Sequence, residues 1–240
     1  LDWDYVDIDE QGDILFLCPA PPEEFPIQDG GTDTQEYPVA TSFEPSGVPI
    51  YHSKQGAKYT LYLDFDGHAW SGHAWAGGAS IDALPYSLDN DFETYSDAEL
   101  SDIGNSWAIA AEDFAPFDID VTTEAPAVLN NDVGHVLMTD SVDKNGVSIY
   151  NCGCGGVAYV GVFGGNDYAS YFSPALVYMK DLTGLSEAIS HEFGHNLGLS
   201  HDGKDNSGYY PGHGTGDTDW APIMGVGYYA NTVQWSKGEY

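Results

Sequence analysis

The pattern of apolar and polar positions divides the chain near residue 50. From residue 51 onward, short apolar stretches typical of strands alternate with two longer stretches of helical period. The predicted strands are Tyr59–Phe65, Ile119–Thr122, His135–Thr139, Gly156–Phe163 and Ala175–Met179. The predicted helices are Asp97–Phe114 and Ser186–Leu197. A few strands and two main helices in this order predict one α+β domain over residues 51–240.

The front segment, residues 1–50, differs in composition from the rest of the chain. Seven of the 13 prolines lie between residues 19 and 49, together with several Asp and Glu residues. Proline fixes φ and lacks a backbone donor, so this proline-rich stretch is predicted to be extended or irregular and not a packed element. We therefore expect the front segment to be a prosegment or an N-terminal extension of the domain that follows.

The second predicted helix contains the most specific spacing in the chain. His191 and His195 are four positions apart, so on a helix they project from one face. Gly198 is predicted to turn the chain through a positive φ, which would bring His201 back to the same point. Neutral imidazole is a good zinc ligand, and three protein ligands with an open fourth position are typical of catalytic zinc sites. The spacing therefore predicts that these three histidines bind one zinc ion.

Glu192 directly follows the first of these histidines. It is predicted to lie on the side of the helix that would face a water activated by the metal. Zinc lowers the pKa of a bound water from ~15.7 toward ~7, and a carboxylate beside it can act as general base. The sequence thus predicts a hydrolytic site with Glu192 as the catalytic residue and without a serine or cysteine nucleophile.

Residues 191–201 follow the pattern H-E-x-x-H-x-x-G-x-x-H, in which the chain resembles the metzincin zinc metallopeptidases. By this resemblance, Met224 in its Pro- and Gly-rich stretch is identified as the Met-turn methionine beneath the histidines. Asp202, after the third histidine, is similar to the adamalysin (reprolysin) branch. Val226 stands where the astacin and serralysin branches have a tyrosine ligand. Over roughly residues 56–240, the chain looks most like secreted bacterial adamalysin-type peptidases.

The resemblance implies a zincin-like fold, with a twisted and mainly parallel sheet, an antiparallel edge strand, an active-site helix and a Met-turn. It implies a secreted, extracellular, monomeric zinc endopeptidase of bacterial type that acts on proteins or peptides. The substrate would lie along the edge strand at Gly156, Val157 and Ala158, and Tyr228 would line the substrate pocket. A flexible glycine turn before a core strand is the alternative interpretation of this glycine-rich strand. A zinc hydrolase with a narrow, non-generic substrate is the alternative function.

The three cysteines allow at most one internal disulfide, so one thiol remains. One alternative is a disulfide between Cys18 and either Cys152 or Cys154, because secreted proteins favour oxidised pairs. The other alternative is that the thiolate of Cys18 occupies the open position of the zinc. The chain would then be a latent zymogen, as in some metzincins.

Charge excludes several classes of partner. The formal net charge is −32, with six lysines and no arginine, so the chain has no basic surface to bind nucleic acid. An anionic membrane would repel the chain for the same reason. No stretch of 18 consecutive apolar residues is present, so no membrane-spanning helix is predicted.

Some further polar residues are weaker candidates. The alternating aspartates of two predicted strands could form a calcium site or could be solvated carboxylates: Asp64, Asp66, Asp118 and Asp120. Among the histidines outside the zinc motif, three are candidates: His68, His73 and His213. His213 could line the cleft or could belong to a turn. A capping box at residues 236–239 predicts that a helix begins there.

Overall fold

A computed structural model describes residues 5–20, 39–204, 208–228 and 230–236. Most of the proline-rich stretch and most of the predicted capping box at 236–239 therefore lie outside the described residues. No helix in the described ranges is long and apolar enough to cross a membrane. Within these described ranges, the main elements are eleven strands and two α-helices.

The strands, in chain order, are β1 (Val6–Ile8), β2 (Ile14–Pro19), β3 (Tyr59–Asp64), β4 (Ala69–Trp70), β5 (Ile81–Asp82), β6 (Ile119–Thr122), β7 (Val133–Met138), β8 (Cys154–Tyr159), β9 (Ala175–Val177), β10 (Trp220–Pro222) and β11 (Thr232–Gln234). The helices are α1 (Asp97–Asp113) and α2 (Leu182–Asn196). Short helical turns occur at Trp75–Gly78, Tyr168–Phe172 and Gly216–Thr218.

Seven strands form one mixed sheet in the order β1-β2-β8-β9-β7-β3-β6. Strands β6, β3, β7 and β9 are parallel to one another, and β8 is antiparallel to β9. This agrees with the predicted α+β domain and its mainly parallel sheet. The antiparallel strand is not at the edge, however, because β2 pairs with its other side and β1 pairs with β2.

The predicted strands and helices of the domain are all present, with small differences at their ends. Helix α2 begins at Leu182, four residues earlier than predicted, because the Asp181 side chain accepts a hydrogen bond from Gly184 N and caps the helix. Strand β8 ends at Tyr159, earlier than predicted, and the chain turns at Gly161 with φ +70°. Local capping and turn residues account for both differences.

The front segment contains two strands that the sequence analysis did not predict. In β2, Leu15, Phe16 and Cys18 are buried. The local sequence feature that corresponds to β2 is a short apolar run at residues 14–18. The burial of these side chains depends on pairing with β8, which is far along the chain. The division near residue 50 stays a prediction.

Two apolar clusters cover the two faces of the sheet. On the helix face, α1 and α2 pack on residues such as Leu61, and Phe193 of α2 belongs to this cluster. The loop face is covered partly by residues 65–86, which we call the covering loop, where Trp75 packs with Leu137 of β7. The sheet therefore separates polar groups on one face from those on the other.

Two acidic side chains lie close to each other where α1 packs on α2. Asp113 accepts a hydrogen bond from Ser190 Oγ at 2.6 Å, and its pKa is raised to about 6 by burial. Burial, together with the charge of Asp113, raises the pKa of Glu187 to about 8. Near neutral pH, Glu187 therefore keeps its proton in the folded chain and loses it on unfolding.

We predict that Glu187→Gln stabilises the protein increasingly as pH rises from about 4.5 to about 8. Over this range the folded wild type retains a proton that the unfolded chain releases, so increasing pH favours unfolding. Glutamine removes this linkage. Denaturant unfolding of both proteins at several pH values measures the effect. The exposed Glu112→Gln is the control, and parallel curves for Glu187→Gln and wild type would contradict the prediction.

Candidate metal centre

Helix α2 places several polar side chains in the interior of the protein. Residues 188–196 are all buried, including His191, Glu192 and His195, which are at most 2 % exposed. Polar groups in such a position destabilise the folded chain unless they have partners. Their burial on one helix indicates a functional site.

The turn after α2 brings a third imidazole to the other two, as the motif predicts. Gly198 has φ +95°, which confirms the predicted positive φ, and its N–H donates to His195 O at 2.8 Å. The ring of His201 then lies 4.9 Å from that of His195 and 5.2 Å from that of His191. The three histidines thus surround one point.

Backbone carbonyls orient two of the rings. Nδ1–H of His191 donates to Ile223 O at 2.7 Å, and Nδ1–H of His195 donates to Leu199 O at 2.8 Å. Their Nε2 atoms face each other at 3.1 Å. Since both Nε2 atoms then present lone pairs, the arrangement is repulsive without a cation between them.

The histidines are held in the protonation state that binds metal. Burial lowers the pKa of His191 to about 4 and that of His201 to about 3. Burial and the two neighbouring histidines lower the pKa of His195 well below its usual value. All three are therefore neutral imidazoles near neutral pH, which is the ligand form.

Cys18 of β2 completes a four-residue group. Its Sγ is 3.4 Å from His195 Nε2 and 3.5 Å from His201 Nε2. Tetrahedral zinc with bonds of ~2.0–2.1 Å to nitrogen and ~2.3 Å to sulfur has edges of roughly 3.3–3.6 Å. Cys18 and the three histidines could therefore hold one metal ion, and the donor set fits zinc.

The expected disulfide from Cys18 to Cys152 or Cys154 is wrong. Cys152 is bonded to Cys154, and Cys18 is a free, buried thiol. Cys18 and Cys154 lie on opposite faces of the sheet. Cys18 faces the histidines on the helix face, whereas Cys154 packs in the loop-face cluster. Burial and the charge of Glu192 raise the pKa of the Cys18 thiol.

Glu192 is packed directly against strand β8. A Cβ atom at Gly156 would lie 2.2 Å from Glu192 Oε1, so only glycine fits there while the carboxylate keeps its place. Burial raises the pKa of Glu192 well above its usual value. The backbone of β8 thus approaches the Glu192 carboxylate closely at Gly156.

Strand β2 occupies the side of β8 on which the substrate was expected. The pairing is antiparallel, with Phe16 opposite Ala158, Leu17 opposite Val157 and Cys18 opposite Gly156. The glycine-turn alternative for this stretch is wrong, since β8 is a regular strand from Cys154 to Tyr159. In this chain, strand β2 of the front segment therefore pairs with the edge of β8 that the substrate was expected to use.

Met224 lies in a tight turn and packs against helix α2. Gly225 N donates to Pro222 O at 2.9 Å, and Met224 is 3 % exposed. A Cβ atom at Gly194, between the first two histidines of α2, would lie 2.5 Å from Met224 Sδ. The thioether therefore packs against the helix that carries the histidines.

Two tyrosines lie close to Cys18 and Glu192. Tyr228 was expected as a pocket residue, and Tyr209 was not identified from the sequence. Both are at most 8 % exposed, and burial and the charges of Cys18 and Glu192 raise their pKa values. The ring of Tyr209 also packs edge-on against His201 at 4.4 Å. No pattern in the local sequence around Tyr209 predicts that it lies at the site. Its position depends on the chain folding back to the site after His201.

The expected calcium site is not formed. The strand register places Asp120 beside Thr60, four residues from Asp64 at the end of β3. Asp118 instead pairs with Lys54 at 2.9 Å, and Asp120 pairs with His52. The four aspartates therefore do not converge.

The other histidines lie away from the metal centre. His213 Nδ1 bonds to Tyr210 OH at 2.9 Å, and its backbone forms an isolated antiparallel bridge with Trp220. His73 Nδ1 bonds to Ser173 O at 2.7 Å. His68 lies next to Asp64 on the loop face.

Comparison with known protein families gives one match. Residues 92–202 match the family model described as Metallo-peptidase family M12B Reprolysin-like. The matched part is just under half of the chain and includes α1, α2 and the three histidines. Neither the curated proteins nor the solved structures contain a significant match. The family match supports a metzincin-type zinc metallopeptidase, a hydrolase of protein or peptide substrates.

Proposed function

We propose that this protein is a secreted zinc endopeptidase, present here in a latent form. The observation that carries the proposal is the buried group of three neutral imidazoles with the Glu192 carboxyl beside it. The family match to residues 92–202 supports the same chemistry. The Cys152–Cys154 disulfide supports an oxidising, extracellular location.

His191, His195 and His201 would hold the zinc, which when bound supplies a Lewis acid for the scissile carbonyl and the attacking water. Glu192 accepts a proton from that water as it attacks the carbonyl carbon. It then donates the proton to the nitrogen of the leaving amine, so the carboxyl is restored to its starting state.

The substrate would bind as an extended strand along β8. Strand β2 shows that the outer edge of β8 accepts an antiparallel partner over Gly156, Val157 and Ala158. A peptide in the same register would have its backbone held by β8 hydrogen bonds and its scissile bond near Glu192. Met224 forms the floor beneath the histidines, and Tyr228 lines the adjoining pocket.

The latent form follows from the position of the front segment. Strand β2 occupies the peptide-binding edge of β8, and Cys18 occupies the fourth ligand position beside the histidines. A metal-bound thiolate there leaves no place for the attacking water. Activation then requires that residues 14–19 leave the sheet.

We predict that Cys18→Ala raises peptidase activity by ~10-fold or more, because loss of the sulfur ligand opens the metal to water and weakens the attachment of residues 14–19, so that this strand leaves the sheet more often. Hydrolysis of casein by the intact chain measures the effect. The cobalt(II)-substituted wild type should also show a thiolate charge-transfer band that the variant lacks. A mercurial reagent should activate the wild type but not the variant. Equal activity and equal cobalt spectra in the two proteins would contradict the latent form.

We predict that Glu192→Gln, in the Cys18→Ala background, lowers the rate of casein hydrolysis by ~10²–10⁴-fold. Glutamine fits the same space but cannot accept the proton. Zinc content should stay unchanged, which separates loss of chemistry from loss of metal. Glu112→Gln on the exposed surface of α1 is the control. Full activity in the Glu192 variant would refute the assignment of the general base.

We predict that Gly156→Ala, in the same background, lowers kcat by about 100-fold with zinc retained, because the new Cβ displaces the Glu192 carboxylate. The matched control is Gly155→Ala, whose Cβ would meet the flexible thioether of Met179. Steady-state kinetics with a quenched peptide separate kcat from KM. Equal losses in both variants would indicate general strand damage instead of displacement of the carboxylate.

A further inference from the structure

A second group of metal-binding side chains lies on the loop face of the sheet. It consists of Asp64 at the end of β3, His135 in β7 and His68 in the covering loop. The ligand atoms of this group lie within 4.8 Å of one another. The proposed peptidase mechanism does not use any of these residues.

The geometry of the group centres on the Asp64 carboxylate. Its Oδ2 is 2.8 Å from His135 Nε2 and 3.6 Å from His68 Nδ1. These distances bracket the edge of roughly 3.3 Å expected between oxygen and nitrogen ligands of tetrahedral zinc. The two imidazole rings are 4.8 Å apart and nearly perpendicular. Small adjustments would therefore place all three ligand atoms around one ion.

The turn after β3 brings His68 back over Asp64. Gly67 has φ +83°, and a Cβ there would lie 2.6 Å from Ala83 O, so the turn requires glycine. The ring of His68 then stacks beside Trp70 at 5.9 Å. The position of His68 is thus determined by the covering loop, while Asp64 and His135 belong to the sheet.

The Asp64 carboxylate has too few partners for its burial. It is 1 % exposed, and its Oδ1 has no partner of normal hydrogen-bond geometry, although the backbone and side chain of Asp66 lie close to the carboxylate. Among the described residues, its ion pairs are with histidines only, and no lysine contacts it. A buried carboxylate in this situation is stabilised either by a proton or by a further positive charge. Asp66 adds a second carboxylate nearby and increases the need for one of the two.

We propose that Asp64, His68 and His135 bind a second transition-metal ion, of the zinc class, on the face of the sheet opposite the catalytic centre. Two imidazoles and one carboxylate are ligands that zinc prefers over calcium or magnesium. Asp64 Oδ1 or Oδ2 supplies the anionic ligand, and His68 and His135 supply nitrogen.

The site has a structural consequence. His68 is 29 % exposed, so water can reach the ion and complete its coordination. The metal would link the covering loop to β3 and β7 across a sequence separation of 67 residues, between His68 and His135. Since binding stabilises only the folded chain, its removal should lower thermal stability.

The test is the metal content of the intact chain, measured by mass spectrometry after dialysis against a zinc-buffered solution. The wild type should contain about two zinc equivalents, and both His68→Ala and His201→Ala should contain about one. The double variant should contain none. Asp64→Asn is a second, nearly isosteric variant that should also lose one equivalent. His52→Ala is the matched control, because His52 pairs with two carboxylates and belongs to neither metal-binding group.

The result that would overturn the proposal is one zinc equivalent in both the wild type and His68→Ala, with none in His201→Ala. That result would mean that Asp64 and His135 form a metal-free hydrogen-bonded pair. The same measurements distinguish this failure from a failure of the proposed peptidase site. If the peptidase site bound no zinc, His201→Ala would have the same zinc content as the wild type. Anomalous X-ray scattering from zinc-loaded wild-type protein locates each ion without relying on the folding of a variant. Zinc should also raise the Tm of the wild type more than that of His68→Ala.

Discussion

The structure depends on one constraint, which is the burial of three imidazoles and a carboxylate between helix α2 and strand β8. Backbone carbonyls orient two of the imidazoles, so their Nε2 lone pairs meet at 3.1 Å. Only a cation makes such an arrangement favourable in an apolar interior. The glycine at position 156 follows from the same constraint, because any side chain there would displace the Glu192 carboxylate.

The front segment makes two kinds of contact with the same site. Strand β2 completes the hydrogen bonds along the edge of β8, and its Cys18 Sγ lies within 3.5 Å of His195 and His201, where it would be the fourth ligand. An unpaired sheet edge and an open metal position are both reactive surfaces. One short strand that covers both is a direct physical basis for the latency proposed here.

The sheet also separates the two clusters of metal-binding side chains, and their surroundings differ. The group on the helix face lies beside the edge of β8 that β2 occupies, and Glu192, the proposed general base, is buried next to it. The group on the loop face lies under the covering loop, with Asp64 and His135 buried and only His68 partly open to water. The first arrangement suits chemistry on a substrate, and the second suits stabilisation of a loop.

The sequence by itself determined five strands and two helices of the domain, the spacing of the three histidines with Glu192, and the turn at Gly198, since these depend on periodicity and local spacing. It could not determine the partner of Cys18, because three thiols allow several pairings and the choice depends on which face of the sheet each occupies. It also missed strand β2, the position of Tyr209, and the meeting of Asp64 with His135, which are 71 residues apart. These features depend on strand register and chain return, and only the tertiary structure decides them because no local pattern encodes contacts between distant residues.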